Sequence, residues 1–203
     1  QETRLAVSQK VLALELLLVF LKSAKPRFLQ SPVFGYQVRR FVVTAVLKNC
    51  NLRIPEVFRV LLAIISFLWK HFRTHLKIEL AVLCENVLLR ILRNADAPAK
   101  QQIDVLAEIG TWCDIPQNLV EMYINFDLDR SFEFSQFKTF EKMCSAMCSI
   151  AEGSKDSGSR AEENGNSRKD LQLQALECVA AVMKSLMDAS GHAALVSQDE
   201  KMQ

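Results

Sequence analysis

The stretch Asn118-Leu119-Val120-Glu121-Met122-Tyr123-Ile124-Asn125-Phe126-Asp127-Leu128-Asp129 frames the reading of the whole chain. Leu119, Met122, Tyr123 and Phe126 stand three and four residues apart, the spacing of one helix face. Asn125, Asp127 and Asp129 then follow two residues apart, so a helix runs into a short acidic turn. Helices more often stop at Gly or Asn. This end carries an unusual capacity to accept hydrogen bonds.

Outward from that stretch the pattern is helical in both directions. Half of the 203 residues are apolar, with only six Gly and five Pro, a composition that predicts long helices and short loops. A first helix is expected over 2–23, with Leu5, Leu12, Leu16, Val19 and Phe20 apolar and Arg4, Lys10 and Lys22 on its polar side. A second, over 36–48, carries Val38, Phe41, Val42, Ala45 and Val46. The third runs over 55–72 and the fourth over 75–93, the latter with Leu76, Leu80, Leu83, Val87, Leu88 and Ile91. Pro98 opens a fifth that reaches Trp112 or Cys113, the opening stretch is the sixth, and a seventh covers 134–152. The last, over 171–187, carries Leu173, Leu176, Val179, Ala180, Met183 and Met187, with Gly191 as its natural stop. From about 153 to 170 no aliphatic residue is larger than Ala, and the stretch reads as a flexible insert within one domain spanning 1–203. A helix pair recurring about every 40 residues is the period of armadillo and HEAT arrays. The expected fold is therefore all-α, a right-handed armadillo/HEAT-like stack of about eight helices, with a compact bundle as the alternative.

Charge and cysteine usage narrow the function classes. The formal charge is +2, from 25 basic and 23 acidic residues mixed along the chain, which argues against nucleic acid as a partner. Six cysteines without Cys-x-x-Cys spacing read as small buried hydrophobes of a cytosolic protein. The apolar run Val11–Leu21 is interrupted by Glu15 and lacks a cleavage site, and Val60–Trp69 is half the roughly 20 residues needed to cross a bilayer. The chain starts in mid-pattern without Met and reads as a fragment.

No motif supports catalysis, and no cofactor or metal is expected. Asp127, Asp129 and Ser131 stand like EF-hand positions one, three and five, but Phe132 replaces the Gly of position six and Lys138 the Glu of position twelve. The alternative is structural: Asn125 caps the outgoing helix, while Asp127 or Asp129 accepts backbone N–H groups of the turn into the next one. His71 with His75, and Cys144 with Cys148, stand four apart, and each pair offers only two ligands. Lys70, Arg73 and Lys77, with His71, His75 and Arg39-Arg40, form a candidate patch for an anionic partner, against the plainer reading of a solvated helix junction.

Asn125-Phe126-Asp127-Leu128-Asp129 resembles the HUS box, Asn-Tyr-Asp-Cys-Asp, of the large Golgi exchange factors for ADP-ribosylation-factor (Arf) GTPases. Ile54-Pro55-Glu56-Val57-Phe58, His75-Leu76-Lys77-Ile78-Glu79, Phe137-Lys138-Thr139-Phe140-Glu141-Lys142 and Leu173-Gln174-Ala175-Leu176-Glu177-Cys178 are similar to the same family, closest to its BIG/Sec-seven branch. Phe126 and Leu128 depart from the box's Tyr and Cys, which removes the Tyr hydroxyl, while the three polar positions match. The resemblance implies a HUS domain, an armadillo-like regulatory module between an N-terminal dimerisation and cyclophilin-binding (DCB) domain and a catalytic Sec-seven domain, neither of them expected in this fragment. It further implies docking to the DCB domain, small GTPases of the Arf and Rab families as partners, and a cytoplasmic protein peripheral at the trans-Golgi network. A helical-repeat adaptor in membrane traffic, without exchange activity, is the alternative.

Overall fold

The computed structural model describes residues 2–50, 54–128, 138–153 and 165–199. Every regular element among them is helical: α1 (Glu2–Ser23), α2 (Pro26–Leu29), α3 (Pro32–Gln37), α4 (Thr44–Asn49), α5 (Pro55–Phe72), α6 (Lys77–Leu83), α7 (Arg90–Arg93), α8 (Ala99–Cys113), α9 (Pro116–Tyr123), α10 (Thr139–Glu152) and α11 (Gly165–Asp199). Three π-helical segments, Val38–Val43, Cys84–Leu89 and Ile124–Leu128, continue α3, α6 and α9. The chain divides into two compact units, Gln1–Leu88 and Leu89–Gln203.

The N-terminal unit is organised on α5. Pro55 starts this helix with a preset φ, after an extended Ile54, and ten of its eighteen residues are buried. Each fully buried Leu, Ile or Phe contributes about 1.5–3 kcal/mol of transfer free energy, which makes α5 the main stabilising element of this unit. Helices α1, α4 and α6 pack on it. Phe34 links the rings of Phe20 (6.3 Å), Phe28 (4.3 Å) and Phe72 (5.9 Å) around one end of the core.

Helix α1 has the expected bounds but packs with the other face. Leu14 and Leu21 are buried and Val7, Val11, Leu17 and Leu18 half-buried, whereas the expected face, Leu5, Leu12, Leu16, Val19 and Phe20, lies 55 to 63% exposed. Both faces are apolar, and periodicity alone cannot choose between them. In the second expected helix the π segment shifts the register by inserting extra residues per turn. Val42 and Val43 are both buried as a result, and Phe41, expected inside, is exposed.

The C-terminal unit is built on α8 and α11, with α9 and α10 against α11. The meeting surface of α11 consists of small side chains, Ala175, Cys178, Val182 and Ser185, so the helix axes can approach closely. A Cβ placed on Gly110 of α8 would lie 3.3 Å from the Cys178 sulfur. Polar groups are matched inside this contact: Cys178 Sγ donates to the Leu106 carbonyl at 3.0 Å and the Ser185 hydroxyl to that of Cys113. Gln102, also buried, donates from Nε2 to the carbonyls of Ile91 and Asn94, each at 3.2 Å, at the end of α7, which satisfies acceptors left over by the helix terminus.

Helix α11 is longer than the expected 171–187. It begins at Gly165 and passes through Gly191, because one interior Gly costs only about 1 kcal/mol and good helix formers follow it. The expected face is again the exposed one: Leu173, Leu176, Met183 and Met187 are 52 to 69% exposed, opposite the small residues that pack. Gly153 ends α10 in the left-handed conformation (φ 68°), with its N–H donating to the Ile150 carbonyl.

Candidate functional site

The acidic stretch lies at the junction of α9 and α10. Leu119, Met122 and Phe126 are buried, fixing one face of α9 and its π-helical extension in the C-terminal unit. Tyr123, expected on the same face, is 44% exposed, and its ring meets Phe140 of α10 edge-on at 5.9 Å. The helix does not stop at the acidic turn; it widens into the π segment Ile124–Leu128, which carries Asn125 and Asp127 half-buried, Phe126 buried and Leu128 exposed. Asp129, and with it Arg130 and Ser131, lies outside the described residues.

Asp127 makes the joint. Its Oδ1 accepts the N–H of Phe140 at 3.0 Å and its Oδ2 the N–H of Glu141 at 2.9 Å. These are the second and third amides of α10, donors that a helix start leaves without an intrahelical partner. A cap normally comes from the residue just before the helix. Here that residue is Lys138, which has no side-chain acceptor and a left-handed backbone (φ 47°, ψ 57°). The carboxylate from thirteen residues upstream supplies the acceptor instead and places negative charge at the positive end of the helix dipole. Lys138 Nζ turns to Glu141 at 2.7 Å, and this hydrogen bond, with the charge of Glu141, holds the ammonium pKa above its usual range.

The candidate patch for an anionic partner is placed in the N-terminal unit. Lys70 is exposed in the last turn of α5, and Arg73 and Lys77 are half-buried on either side of the turn into α6. Arg39 is exposed, as read from the sequence, and its charge is engaged: its Nε lies 2.7 Å from Glu79 Oε1 and its guanidinium donates to the His75 carbonyl at 3.0 Å. The link joins positions 36 and 40 residues apart, which no local spacing signals. His71 stacks on Phe67 at 4.4 Å, and partial burial together with the Lys70 charge lowers its pKa from 6.5.

Among the described residues no group of three or more His, Cys, Asp or Glu is arranged to hold a metal ion. Burial pushes the Cys84 and Cys113 thiols up to about 12 and the Cys144 thiol to about 11, so these sulfurs stay protonated near neutral pH and are poor nucleophiles. No helix among the described residues is long and apolar enough to cross a membrane. The arrangement at Asp127 ties the end of the π segment to the start of α10.

The model of the family described as Mon2/Sec7/BIG1-like, HUS domain, matches residues 1–133, about two-thirds of the chain and the whole acidic stretch. The chain belongs to this HUS-domain family. The HUS domain is also similar to brefeldin A-inhibited guanine nucleotide-exchange protein 1 of Homo sapiens, 29% identical over 182 residues. That alignment takes in 89% of this chain and 10% of the relative. Brefeldin A-inhibited guanine nucleotide-exchange protein 2 of Arabidopsis thaliana is likewise 29% identical, over 180 residues, 88% of this chain and 10% of the relative. The HUS domain thus spans about a tenth of the length of the curated relatives it matches.

Proposed function

We propose that this HUS domain is a regulatory, protein-docking module of an Arf guanine-nucleotide exchange factor at the trans-Golgi network, with exchange catalysed elsewhere in the parent protein. Its partner in this reading is the DCB domain, docked on an armadillo-like helical array, and the docking modulates autoinhibition and recruitment for vesicle budding. Arf and Rab GTPases are further partners, and Lys70, Arg73 and Lys77 are a secondary surface for an anionic group. The observation that carries the docking reading is the outer stripe of α1: Leu5, Leu12, Leu16 and Val19 are 57 to 63% exposed on one face of a helix whose other face is packed. Contiguous apolar surface of this kind marks an interaction site in a soluble domain. Next to it, a groove of about 680 Å³ between α1 and α5 includes Leu12 and is bordered by Arg4, Glu15 and Glu56.

In this reading the HUS box, Asn125, Phe126, Asp127, Leu128 and Asp129, is a second docking element in the C-terminal unit, where Asp127 holds the joint between α9 and α10. The test is calorimetric titration with a separately expressed DCB domain. Leu12→Asp with Leu16→Asp should abolish binding while the circular dichroism spectrum stays helical, and Asp127→Ala should weaken it. Undiminished binding by the double variant would remove α1 as the docking face.

A further inference from the structure

The even mixing of charge along the sequence breaks down at the division between the units. Residues 1–88 hold thirteen Lys and Arg against five Glu, a net +8, whereas residues 89–203 hold twelve against eighteen, a net −6. Between Glu15 and Glu56 there is no acidic residue, while seven Lys and Arg occur there. A near-neutral total of +2 conceals this polarity.

Part of that acid-free stretch runs through α2, α3 and the following π segment. Lys25, Arg27 and Arg40 are exposed on it. So are four large apolar side chains, Phe28 at 51%, Val33 at 70%, Tyr36 at 56% and Phe41 at 59%. Val33 and Tyr36 stand three residues apart on α3, and Arg40 and Phe41 follow in the π segment. The Arg40 guanidinium carbon sits 5.3 Å from the centre of the Phe41 ring, and Phe28 is held against the buried Phe34 at 4.3 Å. Arg39 is paired with Glu79.

We propose that this face of the N-terminal unit docks directly on an anionic lipid surface. An acidic protein would satisfy the charges, but the apolar half of the surface decides for the bilayer. Aromatic side chains interleaved with Lys and Arg are the composition of an interfacial face, with rings at headgroup depth and cations at the lipid phosphates. Each base near such a surface strengthens binding about fivefold at ordinary salt. The inference concerns lipid contact by this chain alone and stands apart from docking to the DCB domain.

The test is flotation of the full 203-residue chain with vesicles of phosphatidylcholine alone and of phosphatidylcholine with phosphatidylserine. The expected result is retention only on the anionic vesicles and release by high salt. Replacing Lys25, Arg27 and Arg40 together by Gln should lower the partition coefficient roughly a hundredfold, at about fivefold per charge. Tyr36→Ala with Phe41→Ala should weaken binding with the charge unchanged, and Lys100→Gln with Lys184→Gln, on the other unit, should leave it as it is. Circular dichroism checks that each variant remains helical. Failure to float with anionic vesicles, equal flotation with neutral ones, or an unchanged triple variant would overturn the proposal. Capture by polyglutamate without vesicle binding would also overturn it, assigning the face to an acidic protein.

Discussion

The two units are held together internally by different means. In the N-terminal unit α5 packs through large side chains, Leu61, Ile64, Ile65, Leu68 and Phe72 among them, each at most 1% exposed. In the C-terminal unit α11 meets α8 through Ala175, Cys178 and Ser185, and polar side chains reach backbone groups across the helix contacts, as Ser185, Gln102 and Asp127 do. Large apolar contacts give stability with little directional demand, whereas hydrogen bonds to a neighbouring helix fix its position in one geometry. The comparison teaches that α5 is held mainly by large apolar side chains, whereas the α8–α11 contact and the start of α10, in the unit where the HUS box lies, are also fixed by directed hydrogen bonds.

Substitutions can break this contrast at either end. The largest effect should come from Leu68→Ala on α5, about 3 kcal/mol by loss of transfer free energy plus the cavity left behind, read from urea unfolding. Asp127→Ala should follow at about 2 kcal/mol, since a charged acceptor of two helix amides is lost. Asp127→Asn, which keeps one acceptor oxygen, should recover about half of that 2 kcal/mol. Ser185→Ala should cost about 1 kcal/mol by removing the donor to the Cys113 carbonyl while leaving the packing intact. Equal losses for Asp127→Ala and for an exposed control such as Asp188→Ala would show that the joint carries no special weight.

The smallest effect belongs to His71. Its folded pKa lies below the 6.5 of the free side chain, so the unfolded chain binds more protons as the pH falls below that value, and stability declines there. Because His71 is largely exposed the decline should be slight, and His71→Gln should flatten it in thermal melts taken across that pH range.

Helix existence and many of the bounds were legible, because the apolar spacing of α5 and α8 and the punctuation by Pro55, Pro98 and Pro116 are local signals. The outward faces were not. α1 and α11 are apolar on two sides, and which side packs depends on residues far away in the chain. Phe41 was misplaced because a π segment shifts the register with no local mark. At the site, the acceptor capacity of Asp127 could be read directly. Its use as a cap for a helix starting at Thr139 depends on Lys138 being unable to cap, which takes the fold to see. Arg39 with Glu79 and Ser185 with Cys113, 40 and 72 residues apart, carry no sequence signature of their pairing.

The central claim is that the HUS box carboxylate holds the start of α10, and amide hydrogen exchange at Phe140 and Glu141 tests it most directly. In the native chain both amides should exchange slowly, and Asp127→Ala should speed both by roughly tenfold or more, the equivalent of about 1.4 kcal/mol or more, with the α8 amides unchanged. Equal exchange at Phe140 and Glu141 in the two proteins would contradict the account.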